Sequence, residues 1–278
     1  MMVLPQRILS ERTALPLLFG LLLFSLNAPL AVANTIGQTV GSAYDLESDK
    51  LLYRETHCVS EDDLAREVIY QDAGGKLIAH KKLDYSSGAT TPSFVQKNYY
   101  SGELIEVALD EGVVSMAVTD SNSGEALKSS EENPGQKLPL VIDAGFDVFV
   151  RQNWDILVAG ESLSFQFPLS DRASLIELRI QPLGCSYPTQ SDQCFRLDVA
   201  NWLLRMLVKP IELGYDSNQR QLTRFRGLSN IGDENGNGLV VDIKYDYLDV
   251  PRLACETIGQ PQISNSDPSL TALLSRPL

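Results

Sequence analysis

The sequence predicts a mainly β protein of the α+β class, an antiparallel sheet accompanied by one clear amphipathic helix. Three observations predict it. Short runs in which apolar and polar residues alternate recur along the chain, divided by glycine- and aspartate-rich turns. Only one stretch, near the middle, carries apolar residues at three- and four-residue intervals. Near the C-terminal end, Asn235-Gly236-Asn237-Gly238 separates two further alternating runs, the pattern of a hairpin turn.

The chain opens with Arg7 and Arg12, an apolar run from Ala14 to about Leu26, and Ala31-Val32-Ala33. This is the layout of a secretory signal peptide over residues 1–33, with cleavage before Asn34. Pro16, Asn27 and Pro29 interrupt the run and argue against a retained membrane anchor. No cysteine follows the cleavage point to receive a lipid. The expectation is export to the periplasm, a single β-rich domain over 34–278, and no transmembrane span once the leader is removed.

The first strand signals are LLYRETHC at 51–58, then REVIYQD and KLIAHKKLDY joined by the turn-forming Ala73-Gly74-Gly75. SFVQKNYY, ELIEVAL and VVSMAVT follow at short spacing, which reads as an antiparallel meander. Residues 120–137, DSNSGEALKSSEENPGQK, hold hardly any apolar side chains and predict a solvated loop. The helix falls at about 143–156: Asp143 is a plausible N-cap, Asp147 suits the positive helix start, and Phe146, Phe149, Val150 and Trp154 share a face. Gly160 ends it. SLSFQFPL and SLIELRIQP read as strands, and LDVANWLLRMLVKPIELGYD as a second short helix at about 199–206 leading into a strand. A flexible tail is expected after about 258.

Composition excludes more than it selects. The formal net charge is −13 and lysines and arginines do not cluster, so nucleic acid is excluded as a partner. The four cysteines, Cys58, Cys185, Cys194 and Cys255, suit an oxidising compartment and admit three pairings. Cys185 and Cys194 bracket the turn-rich CSYPTQSDQC, which favours that bridge and leaves Cys58 to Cys255. No C-x-x-C spacing supports a metal site.

The stretch Asp233 to Gly238 admits two readings. Asp233, Asn235 and Asn237 match the first half of a calcium loop, but Lys244 stands at the twelfth position and no helix signal flanks it. The hairpin reading is stronger, with the calcium one a weak candidate. It predicts that Asp233→Ala leaves folding nearly unchanged.

No nucleophile elbow or phosphate-cradling glycine pattern occurs. With two histidines, His57 and His80, both inside predicted strands, a catalytic base is not indicated. No cofactor is expected.

The order of strand hairpins, an amphipathic helix bearing Arg151, the phrase LVAGESLSF (L-x-x-G-E-x-L-x-F) and a closing hairpin resembles uncharacterised exported proteobacterial proteins. More distantly, over residues 51–250, it is similar to the periplasmic lipoprotein-carrier superfamily. That resemblance implies a curved antiparallel half-barrel whose concave face accepts acyl chains. The leading expectation is therefore a non-catalytic protein that binds a lipid or acyl chain, or an envelope protein. Phe146, Phe149, Phe165, Phe167, Trp202 and Phe225 are the candidate cavity residues, and they would equally fill a closed core. The alternatives are an envelope hydrolase using paired carboxylates, and a structural or assembly factor with an exposed apolar patch or sheet edge.

Overall fold

The computed structural model describes residues 35–60, 62–185, 192–201, 209–234 and 236–251. All of them belong to one compact unit, Ala33–Leu278. The expected signal peptide and the tail after 258 lie outside the described residues.

Among the described residues, fourteen strands form one antiparallel sheet. The N-terminal eight are β1 (Thr35–Asp45), β2 (Leu51–Val59), β3 (Ala65–Asp72), β4 (Leu77–Asp84), β5 (Ser93–Asn98), β6 (Glu103–Asp110), β7 (Val113–Asp120) and β8 (Ala126–Glu132). Helices α1 (Gly145–Gln152) and α2 (Trp154–Val158) follow. The sheet resumes with β9 (Leu163–Leu169), β10 (Ser174–Leu183), β11 (Gln193–Val199), β12 (Ile211–Asp216), β13 (Gln221–Gly232) and β14 (Gly238–Pro251). Neighbours in sequence are neighbours in the sheet, except that β8 and β9 form its two edges, while β1 pairs with β14 and so joins two meanders at its centre.

The turns follow from local chemistry. Between β3 and β4, Asp72 Oδ1 accepts the amides of Gly74 and Lys76, and Gly75 takes a left-handed φ of 86°. Between β6 and β7, Glu111 and Gly112 both have positive φ, the geometry that matches strand twist in a two-residue hairpin.

The sheet is strongly curved and unclosed. Its hydrogen-bonded order ends at β8 on one side and β9 on the other. The curvature brings non-neighbouring strands together: at a register break in β13 between Leu228 and Gly232, Asn230 reaches Tyr70 of β3 and Gln96 of β5. The free edge of β9 is partly covered, because Gln166 exchanges backbone hydrogen bonds with Pro139 and Val141.

Four expectations are corrected. The polar stretch 120–137 contains β8, an edge strand whose residues are mostly exposed; its backbone pairs with β7 while its side chains stay solvated, so it carries no apolar alternation. The helix is two short segments. Asn153 breaks it, with both its amide and its side chain donating to the Phe149 carbonyl. Asp143 is not the N-cap: Ala144 holds that place, and Asp143, at φ 44°, turns its carboxylate to Lys81. Finally, Val199 ends β11 instead of starting a helix, and residues 202–208 lie outside the described residues.

Alternation along each strand places one face inward. Tyr53, Glu55 and His57 of β2 share that face with Gly41 of β1 and Ile243 and Tyr245 of β14. The outer face carries charged ladders, such as Arg224 donating to both Asp242 oxygens across β13 and β14. Among the described residues no helix is long and apolar enough to cross a membrane.

Candidate functional site

The concave face divides into two chemically different halves. The half built by β9 to β12 is aromatic and is roofed by the helices. Phe149, Val150, Trp154 and Leu157 press onto Phe165, Phe195, Leu213 and Tyr215. Trp154 meets Phe195 and Tyr215 edge-on at 5.6 and 5.7 Å, and Phe149 lies 5.0 Å from Phe165. Such contacts add to the area they bury. The break at Asn153 starts α2 at Trp154, which is 5% exposed within this cluster.

The half built by β1 to β5 with β13 and β14 carries a polar lattice. Glu55, 4% exposed, accepts the Tyr245 hydroxyl at 2.7 Å, and His57 Nε2 lies 3.1 Å from the same oxygen. Gly41 makes room for them: a Cβ there would sit 2.7 Å from Glu55 and 2.8 Å from Tyr245. Burial and the Glu55 charge push the Tyr245 phenol well above its ordinary value. Lys81, almost fully buried, donates to Asp143 Oδ2 and stands over the Phe94 ring at 4.9 Å. Gln96 donates to Asn98 and to the Asn230 carbonyl, and the Tyr53 hydroxyl meets Ser229 at 2.7 Å.

Where the halves meet, α1 carries Asp147 and Arg151, which pair at 3.0 Å. Burial raises the Asp147 carboxyl above its ordinary value against the opposing pull of Arg151 and Arg66. Tyr215 and Tyr247 lie within electrostatic reach of the same carboxylate. Arg66 of β3 stacks on Tyr85, its guanidinium 5.7 Å from the ring centre.

The residues singled out from sequence are distributed as follows. Phe146 and Phe149 each pack on Phe165, Phe167 meets Phe165 edge-on, and Phe225 touches both halves of the core. Trp202 lies outside the described residues. Cys185 and Cys194 are bridged, with Cα atoms 5.2 Å apart. Cys58 is disulfide-bonded; Cys255 lies outside the described residues. Asp233 closes its hairpin, since its two oxygens accept the backbone amide and side-chain amide of Asn237. These bonds make Asp233 part of the turn, so Asp233→Ala is expected to lower stability. Asn235 lies outside the described residues. His57 is on the concave face, whereas His80 is on the opposite face beside Glu67.

Glu55, Tyr245, Lys81 and Gln96 were not singled out from sequence. One signal was available: in LLYRETHC, Tyr53, Glu55 and His57 occupy alternate positions and thus one face. Nothing local says that this polar face is the buried one.

No protein-family model matches the chain, and no curated protein matches it. Among solved structures it is similar to a β-barrel-like protein of a domain of unknown function, DUF1849, from Brucella abortus. The identity is 8% and the TM-score 0.45, with 79% of this chain and 100% of that chain covered.

Proposed function

We propose that the chain is an exported, single-domain binding protein that seats an apolar or amphiphilic ligand on its concave face, without performing chemistry on it. The observation that carries this reading is the division of one concave face into an aromatic half under a helical roof and a polar half beside it. An amphiphile needs both surfaces, side by side. The Cys185–Cys194 bridge supports export to an oxidising compartment, and the Ala31-Val32-Ala33 signal supports the periplasm.

A hydrolase using paired carboxylates has one observation in its favour: Glu55 and Asp143 both act electrostatically on Tyr70. Each carboxylate already has partners, Tyr245 and His57 for Glu55 and Lys81 for Asp143. Binding is therefore the reading we adopt.

Native mass spectrometry of the protein released from its own envelope tests it. The expected result is a protein that begins at Asn34 and carries an acyl species. A bare protein that also fails to bind dodecanol in solution overturns the reading.

A further inference from the structure

Side chains on the convex face of a one-sided sheet meet water unless something covers them. On β2 and β3 some of them do not. Thr56 stands between Glu55 and His57 and so points away from the concave face, and its cross-strand partner is Ile69, which lies opposite His80. Ile69 is 3% exposed, Thr56 and Gln38 are buried, and His80 Nε2 is enclosed. Ile69 belongs to neither core cluster, and the helices pack on the other face. This is the burial of a single chain, so the cover is its own.

The cysteines say which part of the chain supplies it. Cys58 projects from the same face as Thr56 and is disulfide-bonded, while Cys185 and Cys194 are bridged to each other. With four cysteines in the sequence, the remaining partner is Cys255. Chain length agrees with that count. β14 ends at Pro251 opposite Thr35, and Cys58 lies on β2 opposite Gln38. Three residues along β1 and two strand spacings separate Pro251 from Cys58 by roughly 14 Å, which four residues and a disulfide can span. Leu248 is the β14 partner of Gln38, so reaching Cys58 requires the chain to double back beyond Pro251 and cross β1 on the convex side.

We propose that residues 252–258 are the partner of this convex surface, tethered through Cys255 to Cys58, with Ile258 seated on Ile69 beside Thr56. Ile258 is the first aliphatic side chain beyond Cys255. The three residues between them cover the roughly 8 Å that separates Cys58 from Ile69. The segment straps β14 to β2 and β3 across β1 and occupies a face that another protein would otherwise meet. The assignment is independent of the ligand on the concave face.

Photo-cross-linking of the full chain tests it. Benzoylphenylalanine in place of Arg54, an exposed residue two positions from Thr56 on the same face, should join the tryptic peptide 253–278 of its own chain, read after reduction. The same probe in place of Ser115, on the convex face of β7, should not. Hydroxyl-radical oxidation supplies a second reading: Ile258→Asp, with all four cysteines retained, should raise the oxidation of Ile69 severalfold over the wild-type chain. Cross-links that form only between chains overturn the proposal in favour of a second copy as the cover. Failure of the Arg54 probe to reach 253–278, or oxidation of Ile69 unchanged by Ile258→Asp, also overturns it. If the Arg54 variant does not fold, the oxidation of Ile69 in Ile258→Asp decides by itself.

Discussion

Lys81 and Asp143 show how a buried polar residue is held in this sheet. Lys81 is 2% exposed and Asp143 less completely enclosed, and the two meet directly. Removing one partner strands the other, and the cost depends on how deeply the survivor is buried. Asp143→Asn should therefore destabilise by about 3 kcal/mol, and Lys81→Met by less, because Asp143 can recover some hydration. The double variant should regain part of the Asp143→Asn loss. Urea titrations of the four proteins check this, and additive losses would refute the pairing. The turn aspartates behave differently. Asp120 accepts the amides of Asn122 and Ser123 and the Ser123 hydroxyl, and these bonds hold its carboxyl below 3.8, as the Lys76 and Gly74 amides do for Asp72. A depressed carboxyl stabilises the fold above its ordinary value, and the contribution is lost as pH falls through the folded value. Thermal melts should thus fall below about pH 4, with a smaller acid loss in Asp120→Asn.

At the scale of elements, the β13–β14 hairpin separates two roles for glycine. Gly236 has φ 79°, where a side chain is strained, and its Cβ would point into open space. Gly238 has no such φ; a Cβ there meets Leu228 Cδ1 at 2.7 Å, the end of a flexible side chain. Gly236→Val should therefore cost roughly 1 kcal/mol or more, and Gly238→Val less, because Leu228 is exposed and can swing away. Asp233→Ala should lower stability through the lost Asn237 bonds, equally with calcium and with chelator. Thermal melts of the three variants check both statements, and a chelator-dependent drop that vanishes in Asp233→Ala would reinstate a cation site.

At the scale of the whole molecule, β1 closes the two meanders into one sheet by pairing with β2 on one side and β14 on the other. We propose that a second covalent link, Cys58 to Cys255, joins β2 to the segment following β14. Non-reducing peptide mapping should recover the two cysteines in one disulfide-linked peptide pair. Recovery of Cys58 linked to any other cysteine would exclude it.

The sequence by itself determined the strand-rich class, the order of the hairpins and the placement of the helical segment. Those are local properties: alternation, turn chemistry and a three- to four-residue apolar period are written within windows of ten to twenty residues. Strand β1 was not legible, because Gly37 and Gly41 interrupt the β-formers Thr35, Ile36, Thr39, Val40 and Tyr44; Gly41 leaves space to Glu55 and Tyr245. Strand β8 was hidden for the converse reason, its pairing being carried by backbone while its side chains face water. Only the tertiary structure decided that Glu55, Lys81 and Gln96 point inward, that Asp143 serves Lys81 instead of the helix, and that Arg66, Tyr85, Asp147 and Tyr215 converge. Each of these depends on which face of a curved sheet is enclosed, and enclosure is set by strands far apart in the chain.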